Sequence, residues 1–477
     1  MLSLLPSLLV AQVVTAPTPP VQSEFITQPQ EIRPLPGKLN DVPVFNSNSP
    51  EVVQTSGILL STFPPTGKID YQAHLNKPFQ GRFDFFSHHI ARPQGDSRTL
   101  YQGVIVSNPS DRLVTVRVLQ GSSYLTSPDA PFVELPSMVE DPHGQVFSGP
   151  GSRLMSDLLR GASQPVFPRQ ITIPPQQSAM LFVLPITTSN ARSTYLRLQS
   201  DGPVYMANLA MAAVPEVVPE IDPETGEVKN DKPPTVVKYR PPVLPEWEGL
   251  LARGRLAYPR DKVPTPPQQI NPNNPNGNIY GRVAGVSLGS EWKTAIVDKP
   301  GAKYLTIPAR GQAFSYPLST VTVGTYGTRQ VQSAPMVARY PDTAYLAHGN
   351  YGVQYQLQLP LRNKTDSRQS VSITLQTPIK QDQYSDRLFF VSRPSGQIFF
   401  RGTIKVSYTD DRGQLQNRFF HLTQRQGQQG DPLVMLNMMP GEQRNVTLDF
   451  LYPPDATPPQ VVTVKTESLF YGNILRR

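Results

Sequence analysis

Six histidines, His74, His88, His89, His143, His348 and His421, are the side chains best suited to proton transfer or metal ligation. Their spacing contains neither H-x-H nor H-E-x-x-H, the patterns that bring two imidazoles to one metal. His88 and His89 are adjacent, so a strand would point them to opposite faces and deny them a shared ion. A metal centre would need long-range assembly, such as His74 with one of that pair, and no metal site is predicted. His74 and His348 each stand in the pattern Ala-His-x-Asn, at 73–76 and 347–350, and are expected to fix strand-entry turns by hydrogen bonding. The candidate functional or turn-fixing residues are therefore His74, Asn76, His88, His89, His348 and Asn350.

Other constellations have the right letters in the wrong setting. Gly285-Val286-Ser287-Leu288-Gly289 matches G-x-S-x-G, but a nucleophile elbow needs a strand-to-helix turn, and no helical pattern follows. Ser290-Glu291-Trp292-Lys293 matches S-x-x-K without its S-D-N and K-T-G companions. A glycine-rich strand that lets another backbone approach explains both better. Pro128-Asp129, Pro341-Asp342 and Pro454-Asp455 could supply paired carboxylates for glycoside chemistry, yet Pro-Asp is ordinary turn material. Asp222-Pro223-Glu224-Thr225-Gly226 lacks the bidentate Glu of a calcium loop and reads as an exposed tip. No phosphate-binding glycine loop occurs, so no cofactor is predicted. Abundant Tyr and Phe could stack on sugars, but aromatics chiefly fill β cores.

The elements that must position these residues are strands. There are 53 prolines, where usage of about 5% would give roughly 24, and proline breaks helix interiors. Phe79, Gly81, Phe83 and Phe85 alternate with period two, as do Val114, Val116 and Val118, and Val353, Tyr355, Leu357 and Leu359. Ile404, Val406 and Tyr408 lead through Asp410-Asp411-Arg412-Gly413 into 415–422, a hairpin. Two short helices are predicted, over 152–160 ending at Gly161 and over 245–253 ending at Gly254. The fold class is all-β: two β-sandwich, immunoglobulin-like modules joined by a Pro-rich linker. The boundaries are a leader over 1–22, an extended Pro-rich arm over 23–50, a first module over 51–214, a linker over 215–278 and a second module over 279–477. The linker carries a hairpin tip at IDPETGEV and the second helix, and its composition predicts surface exposure or mobility.

The modules share a rhythm. In the first, a strand enters Asn108-Pro109-Ser110-Asp111 and leaves through Val114-x-Val116-x-Val118. In the second, a strand enters Asn363-Lys364-Thr365-Asp366 and leaves through Val371-x-Ile373-x-Leu375. Pro-marked hairpins follow at 171–183 and 436–450, and internal repetition is expected.

The net charge is +8. Six acids and one lysine between 216 and 231 leave the remainder with 43 basic against 30 acidic residues, or +13. Such a surface suits an anionic envelope glycan or another envelope protein, and the lack of a Lys/Arg run argues against nucleic acid. Without cysteine there are no disulfides and no thiolate chemistry. Residues 2–11 form an apolar run too short to span a bilayer and resemble a signal-peptide core, with cleavage after Ala11 or Ala16; no basic residue precedes them. No membrane span is expected in the mature chain.

Several longer stretches carry a resemblance. They are residues 36–47 (PGKLNDVPVFNS), Ser87-His88-His89, 280–285 (YGRVAG), 340–352 (YPDTAYLAHGNYG), Phe399-Phe400-Arg401-Gly402 and 452–466 (YPPDATPPQVVTVKT). Together they resemble a cyanobacterial family of exported proteins classed as a domain of unknown function, over about residues 35–466. The resemblance implies a cyanobacterial source and residence in the periplasm or outer envelope, and it brings no catalytic residues. The expected function is a non-enzymatic structural or binding protein of the cell envelope. The alternative is a hydrolase acting on envelope polysaccharide or esters.

Overall fold

The computed structural model describes residues 24–95, 98–218, 235–271, 274, 277–394 and 396–468. The leader and the IDPETGEV tip lie outside the described residues. Strands dominate, and the all-β expectation holds; among the described residues the two α-helices are α1, Pro150–Leu159, and α2, Leu244–Arg253. Among the described residues, the strands form sheets of twelve, seven and five strands and two two-stranded ribbons.

In the first half, the 22-residue strand Ala191–Ala212 works in two layers. Its N-terminal part pairs with Phe79–Ala91 and Val114–Leu125. Beyond an irregularity at Ser200–Val204 it pairs with Leu100–Ser107 and Gly57–Ser61. The bend folds one sheet over itself and encloses Phe45, Phe83, Phe85, Val104, Val106, Leu196 and Leu198. Phe45 stacks on Phe85 with ring centroids 5.3 Å apart.

In the second half, the seven-stranded sheet packs on the five-stranded one. The alternation at 353–359 puts Tyr355, Leu357 and Leu359 into this core, opposite Val371, Ile373 and Leu375. The hairpin around 410–413 forms with Thr409 opposite Leu415.

The halves exchange strands, which the linear partition did not anticipate. Pro43–Ser47 lies parallel to Phe79–Ala91 and antiparallel to Ala284–Leu288, which continues into Ala334–Arg339. Ala284–Leu288, Ala334–Arg339 and Leu346–Ala347 thereby extend the sheet of the first half. In the other direction, Met138–Glu140 joins Leu415–Arg425. Of the arm, residues 24–50 are described and extended, but they are sewn in rather than free: Phe25–Pro29 pairs with Arg387–Val391, and Glu31–Ile32 with Ala313–Leu318. α1 fills the junction, packing Leu154, Met155 and Leu158 with Phe86, Tyr195 and Leu451. Phe85 and Phe86 are both fully buried, because each face of their strand is covered.

Much of the linker is packed. α2 lays Trp247 and Leu251 on Ile58, Ile105, Ala207 and Leu209, and Trp247 is fully buried. Gly103 makes room for it, since a Cβ there would lie 2.6 Å from the indole. Proline content misled because two apolar anchors one helical turn apart suffice to fix a short helix.

The two Asn turns are built alike. Asn108 Nδ2 donates to the carbonyls of Arg112, Ile173 and Pro174 at 2.6, 3.0 and 3.1 Å, and its Oδ1 accepts from Ser110 N and Oγ. Asn363 Nδ2 donates to Ser367, Met438 and Met439 at 2.9, 3.0 and 3.1 Å, and its Oδ1 accepts from Thr365 N and Oγ1. Each Asn ties its own turn to a hairpin tip 65 or more residues away.

Candidate ligand-binding site

Strand exchange brings distant segments around one cavity of about 310 Å³. Asn46 and Glu51 come from the first crossing, His88 from the Phe79–Ala91 strand, Arg282 from the entry to Ala284–Leu288, His348 from the 347–350 motif, and Asp455 from the third Pro-Asp turn. Its size falls within the ~300–1,000 Å³ of small-molecule sites.

Charge is arranged around it in a chain. Arg282 Nη2 pairs with Glu51, and Arg282 Nη1 lies 3.0 Å from Asp261 Oδ1. Burial works against the Arg282 cation, but these two carboxylates outweigh it and raise its pKa. Glu51 Oε1 is 3.8 Å from His88 Nε2, and His88 Nδ1 is 2.8 Å from Ser193 Oγ. Asp455 stands at the N-terminus of α1. Burial raises its pKa, against the pull of His88, Arg401 and the Ser152 and Gly151 amides. Burial takes His348 down to about 4, so its imidazole is neutral at pH 7. Tyr351, which donates to the Ala456 carbonyl at 3.1 Å, is pushed up to about 12 by burial and then by Asp455 and Glu51.

The wall holds polar atoms that the protein leaves unpaired. Asn46 Oδ1, Asn48 Oδ1, His348 Nδ1 and Asp455 Oδ2 are buried without a well-formed hydrogen bond. An unsatisfied buried group costs ~1–3 kcal/mol, so several around one cavity mark a place where stability yields to another demand. Three of the four are carbonyl or carboxylate oxygens, which suit a ligand rich in O–H or N–H donors.

The sequence-singled residues divide. His88, His348 and Asn350 line the cavity. Asn350 holds a left-handed turn (φ 49°), accepting from Ala334 N at 3.1 Å and donating to the Gln332 carbonyl at 2.8 Å. His89 is fully buried on its own network, bonding Ser47 Oγ at 3.0 Å and the Pro50 carbonyl at 2.8 Å, and burial lowers its pKa to about 3. His74 bonds Ser61 Oγ at 2.8 Å away from the cavity, and Asn76 repeats the left-handed turn (φ 48°). Among the described residues no group of three or more His, Asp or Glu is placed to hold a metal ion.

Ser287 is buried inside its strand, opposite Val44 and Met336. A Cβ at neighbouring Gly285 would lie 2.1 Å from the Ala338 carbonyl, so this glycine serves close backbone approach, whereas Gly289 makes room for the Leu39 side chain. The three Pro-Asp turns are separate: Asp129 accepts from Leu125 N, Asp342 pairs with Arg260, and Asp455 alone reaches the cavity.

Sequence reasoning missed Glu51 and Arg282 as site residues. For Arg282 a signal was available, because five of the six stretches that carry the family resemblance contribute to the cavity lining and Arg282 lies in one of them; Glu51 lies in none, and Arg401 from the sixth acts on Asp455.

The fold is an all-β sandwich arrangement with a polar cavity at the junction of exchanged sheets. The chain belongs to a family described as "Protein of unknown function (DUF3370)", whose model matches residues 30–466. No curated protein matches it. Among solved structures it is similar to Lac15 from a marine microbial metagenome, at 9% identity and a TM-score of 0.09; 88% of this chain is covered, and the chain spans 61% of that protein. Recombinant pro-11S globulin of pumpkin matches at 8% identity and a TM-score of 0.10, covering 87% of this chain and 86% of that one. At such scores these likenesses carry no argument. No helix among the described residues is long and apolar enough to cross a membrane.

Proposed function

We propose that this is a non-enzymatic binding protein of the cyanobacterial cell envelope, exported to the periplasm or outer envelope, whose junction cavity holds a saccharide unit of an envelope glycan. The observation that carries the reading is the pair of unpaired buried acceptors at Asn46 and Asn48, beside the buried Asp455 carboxylate whose Oδ2 has no well-formed partner, around a cavity of ligand size. A sugar offers several hydroxyl donors at once and would satisfy them. Export is supported by the apolar run at 2–11 and by the resemblance to a family of exported proteins. The matched Asn108 and Asn363 turns support descent of the two halves from one repeated unit.

Probing an array of envelope oligosaccharides with the wild type and with Asp455→Asn tests the binding reading. Retention by the wild type that weakens about tenfold in the variant supports it. No retained glycan, or retention indifferent to the variant, overturns it.

A second reading, a polysaccharide hydrolase, is favoured by one observation: Glu51 and Asp455 line the same cavity, and burial raises the Asp455 pKa as a general acid requires. New reducing ends released from a retained glycan by the wild type, and lost in Asp455→Asn, would establish it.

A further inference from the structure

A second cleft, of about 480 Å³, opens beside the cavity and shares His348, Gly349 and Tyr351 with it. Its remaining wall is aliphatic or aromatic at Val321, Val323, Pro458 and Tyr280, with one cation, Lys380. Among the described residues Lys380 has no ion-pair partner. Asp382, two residues on, is occupied elsewhere: it accepts from Gly324 N, Thr325 N and Thr325 Oγ1 at 3.0, 2.7 and 2.7 Å. The lysine stem runs along Gly324, where a Cβ would lie 3.4 Å from Lys380 Cγ and Cδ, in ordinary van der Waals contact. Burial alone lowers the Lys380 pKa, and no protein charge works against it. His348, held neutral by burial, brings no second positive charge to the shared wall.

Resting on the binding reading above, we propose that this cleft takes an aliphatic chain bearing one carboxylate, with the carboxylate on Lys380 and the chain along Val321, Val323 and Pro458. A lone ammonium in an apolar wall pairs with an anion more strongly than a solvated one does, because the local dielectric is low. The two valines and the proline favour a flexible chain over a second polar group. The ligand of the junction would then be a saccharide linked to an aliphatic chain that keeps a free carboxylate, with the sugar in the first cavity and the carboxylate in the second.

Calorimetric titration of the full chain with decanoate tests this. The wild type should bind decanoate. Lys380→Met should weaken binding about tenfold or more, Lys380→Arg should largely restore it, and decanol should bind about tenfold more weakly than decanoate. Asp455→Asn and Glu51→Gln should leave decanoate affinity unchanged, since they act on the other cavity. Absent decanoate binding, equal binding of decanol, or an unaltered Lys380→Met overturns the proposal. If decanoate fails while glycan retention still depends on Asp455, the cleft assignment alone falls and the binding reading stands.

Discussion

Asp455 and Gly151 meet so closely that a Cβ on Gly151 would lie 2.6 Å from Asp455 Oδ2. This contact joins the first turn of α1, in the first half of the chain, to a turn near the end of the second. It seats the carboxylate in the junction cavity and ties the shape of the cavity to the packing of the helix.

Gly151→Ala should therefore disturb both. Pro454 closes the other side, with ring atoms 3.0 and 3.1 Å from the same Cβ position, so the new methyl cannot be absorbed by one flexible side chain. A loss of ~1–3 kcal/mol in denaturant unfolding is expected, with weakened glycan retention.

Asp455→Asn should separate stability from binding. Burial disfavours the charged carboxylate, so a neutral isostere relieves that cost while keeping an acceptor toward the α1 amides. Thermal unfolding at pH 7 should show a midpoint equal to or above the wild type, together with reduced retention. A clear drop in the midpoint would mean that the carboxylate is structural.

Acid should destabilise the fold in a defined window. Burial lowers His74, His348 and His421 to about 4 and His89 to about 3, whereas the unfolded chain titrates them near 6.5. Between those limits the unfolded state binds more protons, so stability is complete above pH 6.5 and falls as pH drops toward 4. Each such proton contributes a slope of about 1.4 kcal/mol per pH unit. Unfolding free energies measured from pH 7.5 to 4.5 should fall accordingly, and His89→Gln should make the slope shallower.

Asn108→Ala and Asn363→Ala should cost similar amounts. Each deletes three side-chain donations to distant or local carbonyls, and most of these carbonyls are buried or half-buried. A loss of roughly 2–4 kcal/mol is expected for each, at about 1 kcal/mol per hydrogen bond. Strongly unequal losses would show that the matched geometry hides different roles.

The local elements were legible because they are periodic. Alternation at 353–359 and the apolar positions of α1 and α2 follow from which residues face a core. The crossing of Pro43–Ser47 between Phe79–Ala91 and Ala284–Leu288 was not legible. Its residues read as a proline-rich arm, and of its two pairing partners one lies over 200 positions away and leaves no local mark. Phe86 was invisible as a core residue for a related reason: period two assigns one face to the interior, whereas this strand is covered on both. Half of the singled-out polar residues, His88, His348 and Asn350, reach the cavity. Glu51 had nothing to distinguish it from a surface charge until strand exchange placed it beside Arg282.

The imidazole ¹⁵N–¹H spectrum of the full chain, titrated with the glycan it retains best, tests the cavity most directly. His88 and His348 line it, whereas His89 and His421 are sealed in the core. Saturable shifts of His88 and His348, with His89 and His421 unmoved, are predicted. Shifts absent from His88 and His348, or uniform across all four rings, would contradict a ligand held at the junction.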